Sequence, residues 1–298
     1  VTQVIAVIPA YRPGAGFAER VAGVARQVDS VIVVDDGSPA GEGPALPPSP
    51  ALEVLAGEPN RGIAHALNRG IRRALERGAE HVLTLDQDSS LPEGYVARLV
   101  ERFETAPPSL RVGLVVADTV NGGREVATST RQGVRVTGEA IQSGTLLSAE
   151  VLRRCGLMDE RLVIDGVDTE YCLRVRDKGY AIAVADGTDL GHELGDMVPF
   201  RPFGIALRRG GRPVLYRYHR PFRHYYVARN SIDLAFRSAR RHPRWTARLL
   251  RREALLIAVT VTAGPERAKH AAASLVGLWH GLVRRRGLMP ASLARLIA

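Results

Sequence analysis

Two apolar rhythms alternate along the first two-thirds of the chain. Residues 4–8 and 31–34 are short, continuous runs of Val, Ile and Ala, the first reading as a buried strand, and residues 52–55 and 82–85 are further strand candidates rich in Leu and Val. Between them the apolar positions recur every three or four residues. Phe17, Val21, Val24 and Val28 predict a helix ending near Gln27, and Ile63, Leu67, Ile71 and Leu75 mark one stripe of a helix opened by Asn60-Arg61-Gly62. Val96, Leu99, Val100 and Phe103 predict a third helix. Residues 112–117 form a further strand candidate, residues 141–147 a strand or strand-turn, and residues 151–155 a short helix. Asp165-Gly166-Val167-Asp168 reads as a loop entering a helix, with Glu170 in its first turn and Arg174 further on. A late strand is expected at residues 181–185. Loops are expected at Pro9–Gly14, across the Pro/Gly-rich segment 39–50, and at Gly191-His192-Glu193-Leu194-Gly195. This alternation predicts an α/β fold whose mixed, mostly parallel sheet is flanked by helices.

From about Arg201 the pattern changes. Tyr, His and Arg interleave through residues 216–226, and helical spacing then takes over. Ala271, Leu275, Leu278 and Leu282 form a narrow apolar stripe, trailed by Arg284-Arg285-Arg286. The expected organisation is a sheet domain over residues 1–200 and a basic, mainly helical extension over 201–298 packed on it. The charge is divided in the same way. Residues 1–200 hold 20 Lys/Arg against 28 Asp/Glu, whereas residues 201–298 hold 21 against 3. That polarity suggests a cationic face for an anionic surface, either phospholipid or nucleic acid, or else a solvated Arg-rich face.

Composition adds bounds. In 298 residues, 45% hydrophobic and 24% charged positions suit a globular chain with a large core. Cys155 and Cys172 make neither a disulfide framework nor a metal-ligand spacing, which favours a reducing cytoplasm. The apolar run 4–8 stops at Pro9, too short for a secretory leader, and the run 254–264 is too short to span a bilayer. A cytoplasmic protein, peripheral on the inner face of the membrane, is the expectation.

The candidate chemistry lies where apolar runs end in carboxylates. The run at residues 82–85 stops at Asp86-Gln87-Asp88, and the run at 31–34 stops at Asp35-Asp36-Gly37. In parallel α/β sheets ligands gather at the C-terminal ends of strands. Two carboxylates one residue apart there offer hard oxygen ligands suited to Mg²⁺ or Mn²⁺, which would hold a diphosphate. Taken alone, the same Asp-x-Asp reads first as an Asx-rich turn closing a strand, and only the flanking chain turns the choice towards a metal site.

Five segments in order narrow the choice: Val7-Ile8-Pro9-Ala10-Tyr11, Val33–Ser38, Asn60-Arg61-Gly62, Asp86-Gln87-Asp88 and Asp168-Thr169-Glu170. This series resembles the inverting GT-A glycosyltransferases of family two. Leu85–Ser89, Gln142–Leu146, Asp165–Arg174 and Tyr226–Asn230 resemble its bacterial rhamnosyltransferase branch, over about residues 3–235. The resemblance implies a nucleotide pocket lined by Pro9, Ala10, Tyr11 and Asp36, with Asn60 and Gly62 near the ribose or diphosphate. It also implies a donor site at Asp86, Gln87, Ser143 and Gly144, with Arg229 on a phosphate, and a metal held by Asp88 with Asp86 and His192. Asp168 is the implied general base, with Asp165 and Glu170 as rivals. The implied donor is dTDP-rhamnose, and the acceptor a saccharide or lipid-linked saccharide of cell-surface polysaccharide synthesis. Two other classes stay open. A nucleotidyltransferase would use a similar sheet, although Tyr11-Arg12-Pro13-Gly14 is not a Gly-rich phosphate loop. A nucleic-acid-binding protein fits the isoelectric point near 10.3 but has no recognition-module signature.

Overall fold

A computed structural model describes residues 2–123, 128–192, 197–202 and 205–297. The chain forms two compact units. One comprises Val1–Glu160 and Val167–Glu193, the other Arg161–Gly166 and Leu194–Ala298.

The first unit is built on β1 (Val4–Ala10), α1 (Phe17–Ala25), β2 (Ser30–Asp35), β3 (Leu52–Leu55) and α2 (Ile63–Glu76). There follow β4 (His81–Thr84), β5 (Ser89–Ser90), α3 (Tyr95–Thr105), β6 (Val112–Val120), the hairpin β7 (Thr128–Arg131) and β8 (Val134–Thr137), and β9 (Thr145–Ser148). The unit closes with α4 (Ala149–Cys155), α5 (Val167–Asp177) and β10 (Ala181–His192). The sheet runs β3-β2-β1-β4-β9-β6-β10-β8-β7, with β5 paired to β10. β3, β2, β1 and β4 are parallel, so the ends of β1, β2 and β4 open on one edge. β9 then inserts antiparallel between β4 and β6. Every residue of β1 and β2 is buried, which explains why their sequences are unbroken apolar runs rather than alternating ones. Burying one such Val, Ile or Leu contributes about 1.5–3 kcal/mol, so this core drives the unit together.

Several boundaries differ from the sequence reading. β1 continues through Pro9 and Ala10 instead of ending at Ile8. Pro9 is tolerated because β4 pairs no further than Val7, so no ladder bond on that side needs its missing N–H. β10 runs on to His192 instead of ending at Ala185, and Gly191 and His192 are strand residues paired with β5 rather than loop. The rest of that expected loop, residues 193–195, lies outside the described residues. The β7–β8 hairpin, short and largely polar, was not legible in the apolar pattern.

The second unit holds β11 (Met197–Pro199), β12 (Arg208–Arg209), β13 (Arg212–Pro213) and β14 (Leu215–Arg217), followed by α6 (Pro221–Ser238), α7 (Pro243–Ala263), α8 (Arg267–Leu282) and α9 (Ala291–Ile297). Its core gathers Val163, Tyr225, Tyr226, Ala273, Leu293 and Ile297. α6 and α8 approach backbone to backbone. A Cβ on Gly277 would stand 2.5 Å from the Tyr225 carbonyl oxygen, and one on Gly281 2.8 Å from that of Arg229. Among the described residues no helix is long and apolar enough to cross a membrane.

Candidate active site

The Asp-Gln-Asp segment leaves the end of β4 and turns back into β5. The antiparallel register of β5 on β10 puts Ser89 opposite His192, and thereby sets the histidine beside the turn. His192 Nδ1 lies 3.2 Å from Asp88 Oδ1 and 3.0 Å from Ser89 Oγ. Its Nε2 lies 4.0 Å from Asp86 Oδ2. One ligand atom each from Asp86, Asp88 and His192 falls within 4.8 Å of the others. Although Asp88 Oδ1 is near the ring nitrogen, the alignment is not that of a hydrogen bond, and this buried oxygen has no hydrogen-bond partner. An anionic oxygen kept from water without a donor is costly, and a cation at this point removes the cost. Two carboxylates and an imidazole suit a divalent ion such as Mg²⁺ or Mn²⁺, so the residues present fit the group.

Asp86 is held from several sides. Its backbone N–H donates to Ser143 Oγ at 2.9 Å, and its carboxylate accepts from the Gln142 side-chain amide. Although 29% of its side chain meets solvent, its surroundings raise the carboxyl pKa to about 6. Burial is the main cause, reinforced by Asp88 and Asp168 and opposed by His192 and Gln142. Ser143 also bonds Ser89 Oγ at 2.7 Å. Gly144 sits at φ 72°, where an added Cβ would meet Tyr95 Oη at 2.6 Å. Its carbonyl accepts from that hydroxyl at 2.7 Å, so a residue larger than glycine would displace the turn that carries Ser143.

The expected nucleotide residues surround the ends of β1 and β2. Pro9 and Ala10 are the buried last residues of β1, and Tyr11, just beyond, is 41% exposed. The Tyr11 amide donates to Gln87 Oε1 at 2.8 Å, which ties this loop to the Asp-Gln-Asp turn. Asp36 accepts from the amides of Arg61 and Gly62, both at 3.0 Å. Burial raises its carboxyl above the usual range while these two amides pull it down. Asp36 therefore anchors the Asn60-Arg61-Gly62 turn. Gly62 takes φ 95°, ψ 165°, a region almost reserved for glycine, and starts α2 there. Gly37 lets the two loops meet, since a Cβ on it would stand 2.3 Å from the Asn60 nitrogen.

Sequence reasoning missed the support behind this turn. His65 Nε2 lies 2.9 Å from Glu58 Oε2 and its Nδ1 2.8 Å from Glu160 Oε2. Asn68 adds a 2.9 Å bond to Glu160. The spacing of Glu58 and His65 across a glycine turn was visible in the sequence, but Glu160 arrives from a distant segment.

Asp168 is the second residue of α5, with its Oδ1 accepting from the Thr169 amide at 2.8 Å. It lines a small cleft with Thr84, Gln142, Thr145 and Tyr171, close enough to Asp86 to raise that carboxyl. The rival bases are engaged elsewhere. Glu170 pairs in a fork with Arg174, at 3.0 and 2.6 Å. Asp165, in the second unit, is gripped by Arg223.

Arg229 requires a correction. It is a buried residue of α6 in the second unit, donating to Asn230 Oδ1 and to the carbonyls of Arg161, Leu162 and Gly287. Its guanidinium is occupied in tying chain segments together rather than presented to a phosphate.

Comparison with known proteins agrees with this architecture. Residues 5–150 match the description "Glycosyl transferase family 2". The dTDP-rhamnosyl transferase RfbF of Shigella flexneri is 30% identical over 188 residues, covering 59% of this chain; the chain spans 60% of that relative's length. Among solved structures, GalNAc-T7 with UDP, GalNAc and Mn²⁺ superposes with a TM-score of 0.53 at 14% identity, over 64% of this chain and 44% of that one. Staphylococcus aureus TarS 1–349 with UDP-GlcNAc gives 0.48 at 16% identity, over 95% and 72%. The fold is that of the GT-A glycosyltransferases, and the match to the family 2 glycosyl transferase description lies within the sheet-bearing part of this chain.

Proposed function

We propose that the chain is a metal-dependent, inverting glycosyltransferase that moves rhamnose from dTDP-rhamnose to a saccharide or lipid-linked saccharide acceptor in cell-surface polysaccharide synthesis. The choice of donor is supported by the named relative and by the motif series; the chemistry is supported by the site. Asp88, Asp86 and His192 are the residues that would hold a divalent cation. Bound there, the cation supplies positive charge to a departing diphosphate. Tyr11 and the Asp36-anchored turn at Asn60–Gly62 would hold the nucleoside end. Ser143, Gly144 and Gln87 would shape the floor beneath the sugar.

The reaction needs one proton acceptor on the side of the acceptor hydroxyl. Asp168 takes that proton as the hydroxyl oxygen bonds to the anomeric carbon; the bond from that carbon to the diphosphate breaks, and the nucleoside diphosphate leaves with the electron pair. Attack opposite the leaving group inverts the anomeric centre. The observation that carries this reading is the position of Asp168, which borders the cleft and lies close enough to Asp86 to raise that carboxyl. The sugar chemistry is assigned to the sheet unit, and a peripheral contact with the anionic inner face of the membrane to the helical one.

Asp168→Asn is the decisive variant. A general base supplies about 10²–10⁴-fold in rate, so transfer should fall by that much. Stabilisation by dTDP-rhamnose with Mn²⁺ in a thermal melt should persist. Full transfer activity in Asp168→Asn, or pyrophosphate release from a nucleoside triphosphate with no sugar moved, would overturn the reading.

A further inference from the structure

α8 is built inside out. On a helix at the surface of a water-soluble protein the large apolar residues face inward and the polar ones outward. Here the inward positions are the small residues Ala273, Ser274, Gly277 and Gly281, of which the two glycines let α6 approach closely, together with the buried His270 and His280. Three of its five large apolar residues point to solvent instead, while Val276 packs against the core. Leu275 is 67% exposed, Trp279 61% and Leu282 55%, with Val283 just past the helix end at 50%. These positions fall on one stripe by helical spacing, and no Asp, Glu, Lys or Arg occurs from residue 271 to 283. An exposed, all-apolar face of this kind marks an interaction surface.

Charge decides between the possible occupants. The stripe ends at Arg284 and Arg285, both exposed. Residues 201–298 carry 21 Lys/Arg against 3 Asp/Glu, so a second copy would bring the same cationic field against itself. An anionic lipid surface is complementary instead. At 16 residues α8 is about 24 Å long, short of a hydrocarbon core about 30 Å thick, so it suits lying in the interface rather than spanning it. Trp is well suited to that boundary, and arginines beside it reach anionic headgroups.

We propose that the outer face of α8, through Leu275, Trp279, Leu282 and Val283, inserts into the headgroup boundary of an anionic bilayer while Arg284 and Arg285 contact lipid headgroups. This deepens the peripheral membrane contact assigned above by naming the surface and its mode of binding.

The chain reports on itself. It has two tryptophans, of which Trp245 is 7% exposed and Trp279 lies on the stripe. With vesicles of phosphatidylcholine and phosphatidylglycerol bearing brominated acyl chains, tryptophan emission should shift to the blue and be quenched. In Trp279→Phe the quenching should vanish although the vesicles still bind. Arg284→Ser with Arg285→Ser should weaken vesicle binding by about tenfold or more. Absence of quenching in the wild-type chain, equal binding to purely zwitterionic vesicles, or a blue shift that follows protein concentration without lipid would each overturn the proposal. The last result would identify a second copy as the occupant. Transfer to a water-soluble acceptor should be unaffected by these substitutions, so loss of membrane binding and loss of the glycosyltransferase reading are told apart.

Discussion

Asp88 Oδ1 faces Nδ1 of His192 across 3.2 Å, a pairing made by the two-residue ladder between β5 and β10. If the pair holds a metal, adding Mn²⁺ should raise the melting temperature and EDTA should reverse it. At a hundredfold excess over Kd the stabilisation is about 2.7 kcal/mol. Asp88→Ala should abolish the effect. His192→Gln should weaken Mn²⁺ binding without disturbing the metal-free melt, as read by titration calorimetry.

Gly144 tests how tightly the floor beside Asp86 is packed. Gly144→Ala has to adopt a left-handed φ and collide with the Tyr95 hydroxyl and the Leu190 side chain. A loss of about 1–3 kcal/mol is expected in urea denaturation. Transfer activity should fall too, because the Ser143 hydroxyl that takes the Asp86 amide moves with the turn.

His65 should behave as a brace for the nucleotide turn. Replacing it by Ala leaves Glu58 and Glu160 without the imidazole between them, at a cost of about 1–3 kcal/mol in a thermal or chemical melt. Because the Asp36-anchored turn starts the same helix, the KM for the donor should rise more than kcat falls. Equal effects on both would assign His65 to overall stability alone.

Acid sensitivity should originate partly in the helical unit. His224 is buried on α6 with both ring nitrogens lacking hydrogen-bond partners, and its ring packs edge-on against His270 at 4.6 Å. Burial, helped by the nearby His270, His219 and Arg223, pushes its pKa down to about 3. Unfolded, the imidazole titrates near 6.5. Between these values the unfolded chain binds a proton that the native chain refuses. Stability therefore rises with pH across this window and is lost as pH falls from about 6.5 toward 3, by up to about 1.4 kcal/mol per pH unit. Urea midpoints at pH 5 and pH 7 should differ in the wild type and converge in His224→Phe.

The order of the longer apolar strands and helices of the sheet unit, the carboxylates at the ends of β2 and β4, and the α/β class were all present in the chain itself. Local periodicity and turn chemistry are set by neighbouring residues, so residues 52–55 were legible as a strand to the residue. Strand partnership was not, because a ladder joins residues far apart in sequence and a short polar strand carries no hydrophobic record of it. Only the tertiary structure inserted β9 against β4, which brings Ser143 to Asp86, and paired β5 with β10, which brings His192 to Asp88. It alone showed that Arg229 is spent on backbone carbonyls, since a guanidinium can donate to a phosphate or to a carbonyl and sequence does not say which is near. The stripe on α8 makes the same point. Its spacing was plain, but that Leu275 and Leu282 face outward was decided by glycines on the opposite side giving α6 the closer approach.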